Sequence, residues 1–391
     1  MLTRKACAKA AVITAGVLLT GAAPNAGASA ATRIPGLAPR PAGAGLTVSG
    51  DLESVAAISA GNAWAVGTDA AGQGHALILH WNGHAWSQVA TGLPPGAASS
   101  LRAVAASSAV NAWAVGTVGT KPLILHWNGH AWKQAAFSTP AGTVFSSVSV
   151  TSGGNAWAVG LHGAAPFKPV ALHWNGRTWK PVVLPKLPLT KDVGATIASV
   201  SATSAGSAWA AGDFIDRFAG AGPGFTLHWN GKSWRRVPSA PASHGSPSGI
   251  AAAAAGHAWL IGCPCQGGPD GAVIGFWTGR TWKTVTHPVA NPGTFGGTGN
   301  AITASGHLAW ATGDYCAARC ASSRSDYQAF LLRWTGSAWK QTPAPPDHAT
   351  ILGLAVTSAT NAWAVGTTPT TSGTSKTLIL HWNGSKWSQS G

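Results

Sequence analysis

"LILHWNGHAW" runs from Leu77 to Trp86, and the same letters return from Leu123 to Trp132. Related stretches follow: "VALHWNGRTW" ending at Trp179, "FTLHWNGKSW" at Trp234, "VIGFWTGRTW" at Trp282, "FLLRWTGSAW" at Trp339 and "LILHWNGSKW" at Trp387. Each is preceded by a version of "NAWAVG", starting at Asn62, Asn111, Asn155, Ser207, His257, Leu308 and Asn361. The chain therefore contains seven copies of one unit.

The tryptophans give the same count independently. All 21 fall into the pattern, three to a unit, beginning with Trp64, Trp81 and Trp86 and ending with Trp363, Trp382 and Trp387. Between Gly50 and Gly391 the unit is about 49 residues long, the size of a four-stranded propeller blade and too long for most helical repeats.

Each unit reads as four strands. A small-residue strand ("ESVAAIS" at Glu53, "SSVSVTS" at Ser146) leads into "AWAVG", then "LILHW", then "WSQV". Alternate side chains of a strand share a face, so Trp64 goes with Val66, and Leu77 with Leu79 and Trp81. The Ala, Ser and Val of the first strand suit the crowded axis of a ring. In the "WNG" hairpin, Asn-Gly suits the positive φ of a tight turn.

These repeats resemble the blades of secreted seven-bladed β-propellers, broadly of the kelch and galactose-oxidase-like kind. The Trp-flanked hairpin also resembles the Asp-box turn of sialidase propellers, with Asn-Gly in place of Asp-x-Gly. The expected fold is an all-β, seven-bladed propeller of four-stranded antiparallel blades. Blades are expected at about 50–99, 100–145, 146–196, 197–247, 248–295, 296–350 and 351–391. Ring closure has two readings: blades one and seven simply pack, or "GLTVSG" (Gly45–Gly50) adds a strand to the last blade.

Residues 1–30 have the parts of a secretory signal peptide. Arg4, Lys5 and Lys9 precede an apolar run to Ala23, and "ASA" at Ala28–Ala30 offers a cleavage site. Residues 31–49 form a Pro/Gly/Ala-rich arm. No later stretch reaches the ~18 apolar residues of a membrane helix, so a secreted, monomeric protein without a membrane span is expected. Removing the signal lowers the net charge from +15 to +12, since it contains three basic residues and no acid. That charge favours anionic partners such as cell-surface polymers. With charged residues only 9% of the chain and no dense basic run, nucleic-acid binding is not expected.

Four cysteines remain beyond the signal: Cys263, Cys265, Cys316 and Cys320. In an exported chain they are disulfide candidates with three possible connectivities; a four-thiolate zinc site is the alternative. No cofactor or metal is otherwise expected.

Length varies in only two of the four connections of each unit. The gap from first to second Trp ranges from 14 to 24 residues, and that from third Trp to the next unit's first from 24 to 30. In an up-and-down blade both connections emerge at one end of the disc, and sites concentrate on loops held by a rigid scaffold. Blades four to six carry the unusual loops, and the ligand-contact candidates there are Asp213, Arg217, Asp314, Tyr315, Arg319, Arg324 and Tyr327.

The chemistry weighs against an enzyme. A glycosidase normally needs two suitably spaced carboxylates, whereas Glu53 is the one glutamate and no aspartate pair repeats. The sialidase resemblance implies an arginine cluster with a Tyr/Glu pair, which cannot be assembled. The galactose-oxidase resemblance implies a copper site with two tyrosines, but both tyrosines, Tyr315 and Tyr327, stand in one loop. A streptogramin-lyase-like His and Glu arrangement would need a glutamate better placed than Glu53.

His80, His126, His173, His228 and His381 share one strand position, filled by Phe276 and Arg333 in blades five and six. That replacement points to structure, with the imidazole bonding a neighbouring blade's backbone. The tryptophans admit two readings: packing between blades, or repeated sugar-binding pockets made strong by multivalency. The expected function is thus a non-enzymatic binding propeller that takes a protein or glycan on its variable face. A multivalent lectin is the alternative, and an extracellular hydrolase or lyase a second one.

Overall fold

The computed structural model describes residues 48–390 except 71–73, 239–244, 254–255, 265–271, 290–297, 317–326, 344–345, 347 and 370–374. The described residues form seven four-stranded antiparallel sheets, each in simple meander order. Blade one contains strands Gly50–Ser59, Asn62–Asp69, Ala76–Trp81 and Trp86–Gln88. The other six repeat this order, and the first strands adjoin one another all the way round, the first of blade one meeting the first of blade seven. The protein is a seven-bladed β-propeller.

The core is split among the seams. Seven hydrophobic clusters each join two adjacent blades, the last combining Leu52, Val55 and Leu79 of blade one with Trp363, Val365 and Ile379 of blade seven. At each seam the first Trp of one blade is clamped by the second and third of the next. Trp64 lies 4.9 and 5.2 Å from Trp127 and Trp132. Trp157 lies 5.0 Å from both Trp229 and Trp234. The ring closes identically, with Trp363 5.1 Å from Trp81 and Trp86. Edge-to-face indole packing of this kind adds about 0.5–1.5 kcal/mol per pair beyond the area buried.

Serines of the first strands stitch the seams nearer the axis. Val104 N donates to Ser54 Oγ at 3.1 Å, Ala202 N to Ser149 Oγ at 3.0 Å, and Ala252 N to Ser201 Oγ at 2.9 Å. Each first strand also bulges where it passes the glycine of the second, as between Leu52 and Ser54 or Leu101 and Ala103. The bulge presses a backbone carbonyl against that glycine. A Cβ on Gly67 would fall on Asp51 O, one on Gly116 on Ser100 O, and one on Gly366 on Thr350 O. The recurring Gly after "AWAV" is thus dictated by close backbone approach.

The hairpin between third and fourth strands differs in mechanism from the sequence expectation. Only the glycine takes positive φ (Gly83 at 94°, Gly129 at 93°), while asparagine works through its side chain. Asn82 Oδ1 accepts from His84 N and Ala85 N, both at 3.0 Å. In blade six Thr335 Oγ1 takes the same role, accepting from Ala338 N at 3.2 Å. An Asx turn needs only a short side-chain acceptor, so threonine substitutes.

At the closing seam Ser49 forms an isolated antiparallel bridge with Lys376 and its carbonyl accepts from Ala70 N at 3.0 Å. Thr377 Oγ1 donates to Val48 O at 2.9 Å. The segment is therefore a short clasp between blades one and seven, with Gly45–Thr47 outside the described residues. No helix among the described residues is long and apolar enough to cross a membrane.

Candidate functional site

The repeated polar residues are occupied in the scaffold. His80 packs 4.2 Å from the Trp64 ring, and its Nε2 meets Asn62 Oδ1 at 3.2 Å. His126, His173 and His381 make the same bond to Asn111, Asn155 and Asn361, at 2.9, 2.7 and 2.8 Å. The partner is thus an asparagine of the same blade, a correction to the expectation of a neighbouring blade's backbone. The two positions vary together. Where Ser207 replaces asparagine, His228 reaches its hydroxyl at 3.4 Å. Where His257 and Leu308 stand there, the histidine is replaced by Phe276 and Arg333. Burial lowers the pKa of all five histidines, that of His80 to about 4. The neutral imidazole is therefore the native form.

The tryptophans offer little to a ligand. Sixteen are buried and Trp81, Trp174, Trp282, Trp334 and Trp387 are half-buried, so none is exposed. The indole N–H of Trp81 donates to Ala60 O at 2.9 Å and that of Trp127 to Ala109 O at 3.0 Å. These bonds tie the hairpin between third and fourth strands to the turn between first and second, and fix both at one end of the disc. The two connections of variable length lie at the other.

At that variable end, the position after the crowded glycine holds Thr68, Thr117, Leu161, Asp213, Cys263, Asp314 and Thr367 in turn. Asp213 is only 6% exposed, and its Oδ2 accepts from Ser246 Oγ of blade five at 2.9 Å. Asp314 Oδ2 accepts from Asn300 Nδ2 at 2.9 Å, and the same amide reaches Ile351 O of blade seven at 3.1 Å. The two aspartates therefore serve different seams, four-to-five and six-to-seven. Tyr315 packs against the core of the five-to-six seam and donates to Gln328 Oε1 at 2.8 Å.

Arg217 is exposed at the tip of the blade-four hairpin, with its Cζ 5.9 Å from the Phe218 ring. Tyr327 opens the third strand of blade six, its backbone opposite Cys316. Its side chain, Arg319 and Arg324 lie outside the described residues, as do Cys265, Cys320 and the Cys316 side chain. Cys263 is buried in blade five, with its backbone opposite Ser246. Among the described residues no three His, Cys, Asp or Glu side chains gather as a metal site would require.

One titratable group has a setting that the sequence did not show. Glu53 sits at the first-strand bulge of blade one, where its Oε2 is buried without a hydrogen-bond partner. Burial, then the charge of Asp51, raises its pKa to about 7 against the opposing pull of Arg102. Nothing in the repeat marked it, because only the bulge gives that residue its setting.

The sequence matches no protein-family model and no curated protein. Solved structures do resemble it. YCF48 bound to D1 peptide is 13% identical with a TM-score of 0.56, over 87% of this chain and 95% of that one. A PL25 ulvan lyase is 11% identical with a TM-score of 0.58, over 89% and 97%. The GH74 xyloglucanase from Xanthomonas campestris is 16% identical with a TM-score of 0.58, over 87% of this chain and 53% of that one. The likeness is one of architecture. Binding proteins and polysaccharide-acting enzymes share this fold, and function must be argued from the site.

Proposed function

We propose that this chain is an exported binding propeller that engages a protein or glycan through its variable end and catalyses no reaction. One observation carries the reading: the residues that recur from blade to blade are committed to seams, strands and turns of the scaffold, and the connections that differ from blade to blade gather at the other end. Trp, His and Asn close seams and turns. The two recurrent-position aspartates accept hydrogen bonds within the scaffold, which is poor preparation for acid–base work. Arg217 and Tyr315, with Arg319, Arg324 and Tyr327 of the blade-six loop, are the contact residues of this reading. A lectin with tryptophan platforms between blades is less well supported, because those rings already pack against one another, tilted or edge to face.

The test uses the purified chain on a glycan array and in cross-linking capture from extracellular material. A variant carrying Arg217→Ala, Arg319→Ala and Arg324→Ala should bind whatever is found at least tenfold more weakly. A variant of the opposite end, His130→Ala with Lys133→Ala, should bind as before. The reverse pattern overturns the proposal, as does turnover in a panel of lyase and hydrolase substrates that Asp314→Asn abolishes.

A further inference from the structure

Charge is unevenly distributed round the ring. Residues 50–99 contain three acids and no Lys or Arg, whereas residues 168–236 contain nine Lys or Arg and three Asp. At the seam between blades three and four, this positive charge meets the most exposed large apolar side chains of the described residues, Val183 at 88% and Phe218 at 80%.

Two well-anchored segments present it. The strap from Val182 to Asp192 links the last strand of blade three (Trp179–Pro181) to the first of blade four (Val193–Ser204). Its Val182, Leu184, Leu187 and Leu189 pack on the seam core, leaving Lys186 and Lys191 exposed. Thr190 Oγ1 accepts from Val193 N at 3.0 Å and fixes the strap's end. Among the described residues, the blade-four hairpin (Ser207–Asp216 and Gly220–Trp229) has the longest second and third strands. Its tip is rigid, since Asp216 Oδ1 accepts from Phe218 N at 2.8 Å and Ala219 N at 2.7 Å.

Tip and strap are joined: Arg217 N donates to Asp192 O at 2.8 Å. The neighbouring hairpin of blade three reaches the same seam, with Phe167 O accepting from Ala195 N at 2.8 Å, and it carries exposed Lys168.

We propose that Lys168, Lys186, Lys191 and Arg217, together with the Phe218 ring, form a binding site for an acidic polysaccharide. This rests on the variable-end reading and names a ligand class for one sector of it. The cations come from three separate segments: the blade-three hairpin (Lys168), the strap (Lys186 and Lys191) and the blade-four tip (Arg217). Charges supplied by three segments match anions repeated along a polymer better than one compact anion. An aromatic ring held on a stiff turn offers its face to a sugar with little ordering cost, and it is the element a purely electrostatic surface would lack.

The probes are polygalacturonate, polyglutamate and uncharged dextran, titrated against the full chain at two salt concentrations. Polygalacturonate should bind, weaken with salt, and lose at least tenfold in affinity with Lys186→Gln, Lys191→Gln and Arg217→Gln combined. Phe218→Ala should lose at least threefold for polygalacturonate with the salt dependence unchanged, and dextran should not bind. Unchanged polygalacturonate binding by the triple variant overturns the proposal. So does polyglutamate binding as tightly as polygalacturonate with Phe218→Ala indifferent to both, which points to an acidic peptide instead. Thermal midpoints equal to wild type confirm that the variants fold. Lys186→Gln with Lys191→Gln leaves Arg217, Arg319 and Arg324 intact, so failure here is distinguishable from failure of the broader reading.

Discussion

The two ends of the disc obey different rules. At the constant end, substitutions come in matched sets: asparagine with histidine, His257 with Phe276, Leu308 with Arg333, and Thr335 doing the work of Asn82. At the variable end, the connections differ from blade to blade in length and in composition. Matched change indicates residues that answer to each other. Unmatched change indicates residues that answer to something outside the fold, or to nothing, and that is where binding is to be sought.

The sharpest way to break this contrast is at the seams. Trp363→Ala should cost about 3–5 kcal/mol, measured by urea unfolding. Trp157→Ala at an internal seam should cost a similar amount. A loss confined to Trp157→Ala would mean that the closing seam contributes little and the ring is open in solution.

A smaller effect is expected where backbone crowds backbone. Gly116→Ala sets a Cβ on Ser100 O, and such overpacking costs about 1–3 kcal/mol. Gly153→Ala, in the turn between the first and second strands of blade three, with open space around it, should change little.

The buried histidines predict acid sensitivity of the constant end. The unfolded chain binds protons near the ordinary pKa of about 6.5, while the folded His80 resists until about 4. Between those values the unfolded state holds more protons, so stability falls as pH is lowered through that window. Asn62→His with His80→Phe, which copies the blade-five pair, should reduce the fall in unfolding midpoint between pH 7 and pH 5. Glu53 has the opposite sign: its raised pKa gives stability present below about 4.5 and lost as pH rises through about 7. Glu53→Gln removes that contribution and isolates the histidines.

The smallest effect on stability belongs to the variable end. Phe218→Ala and Arg217→Gln should each stay within about 0.5 kcal/mol of wild type. A larger loss would make the blade-four tip part of the scaffold and blur the division between the ends.

Much of the fold was legible because the repeat is its own alignment. Three tryptophans per unit, a small-residue first strand and a fixed Trp-to-Trp turn locate seven blades without reference to any other protein. What the letters did not reveal was who touches whom. The histidine's partner is an asparagine 15 to 20 residues away in the blades that have it, and serines in the first strand reach backbone about 50 residues on. Both depend on the angle between neighbouring strands or blades, which no single unit encodes. The surface over the three-to-four seam was missed for a related reason. Lys186 and Lys191 belong to one connection and Phe218 to another, and the two are joined where Arg217 N donates to Asp192 O.

The clasp at Ser49 has a topological corollary. The seam it spans is built from the same indole clamp as the six seams crossed by continuous chain. The ring therefore has a cyclic order but no privileged starting blade. Joining residue 390 to residue 48 through a short linker and reopening the chain in another variable-end connection should give a circular permutant with the same seven seams. Evolution could have begun the gene at any blade.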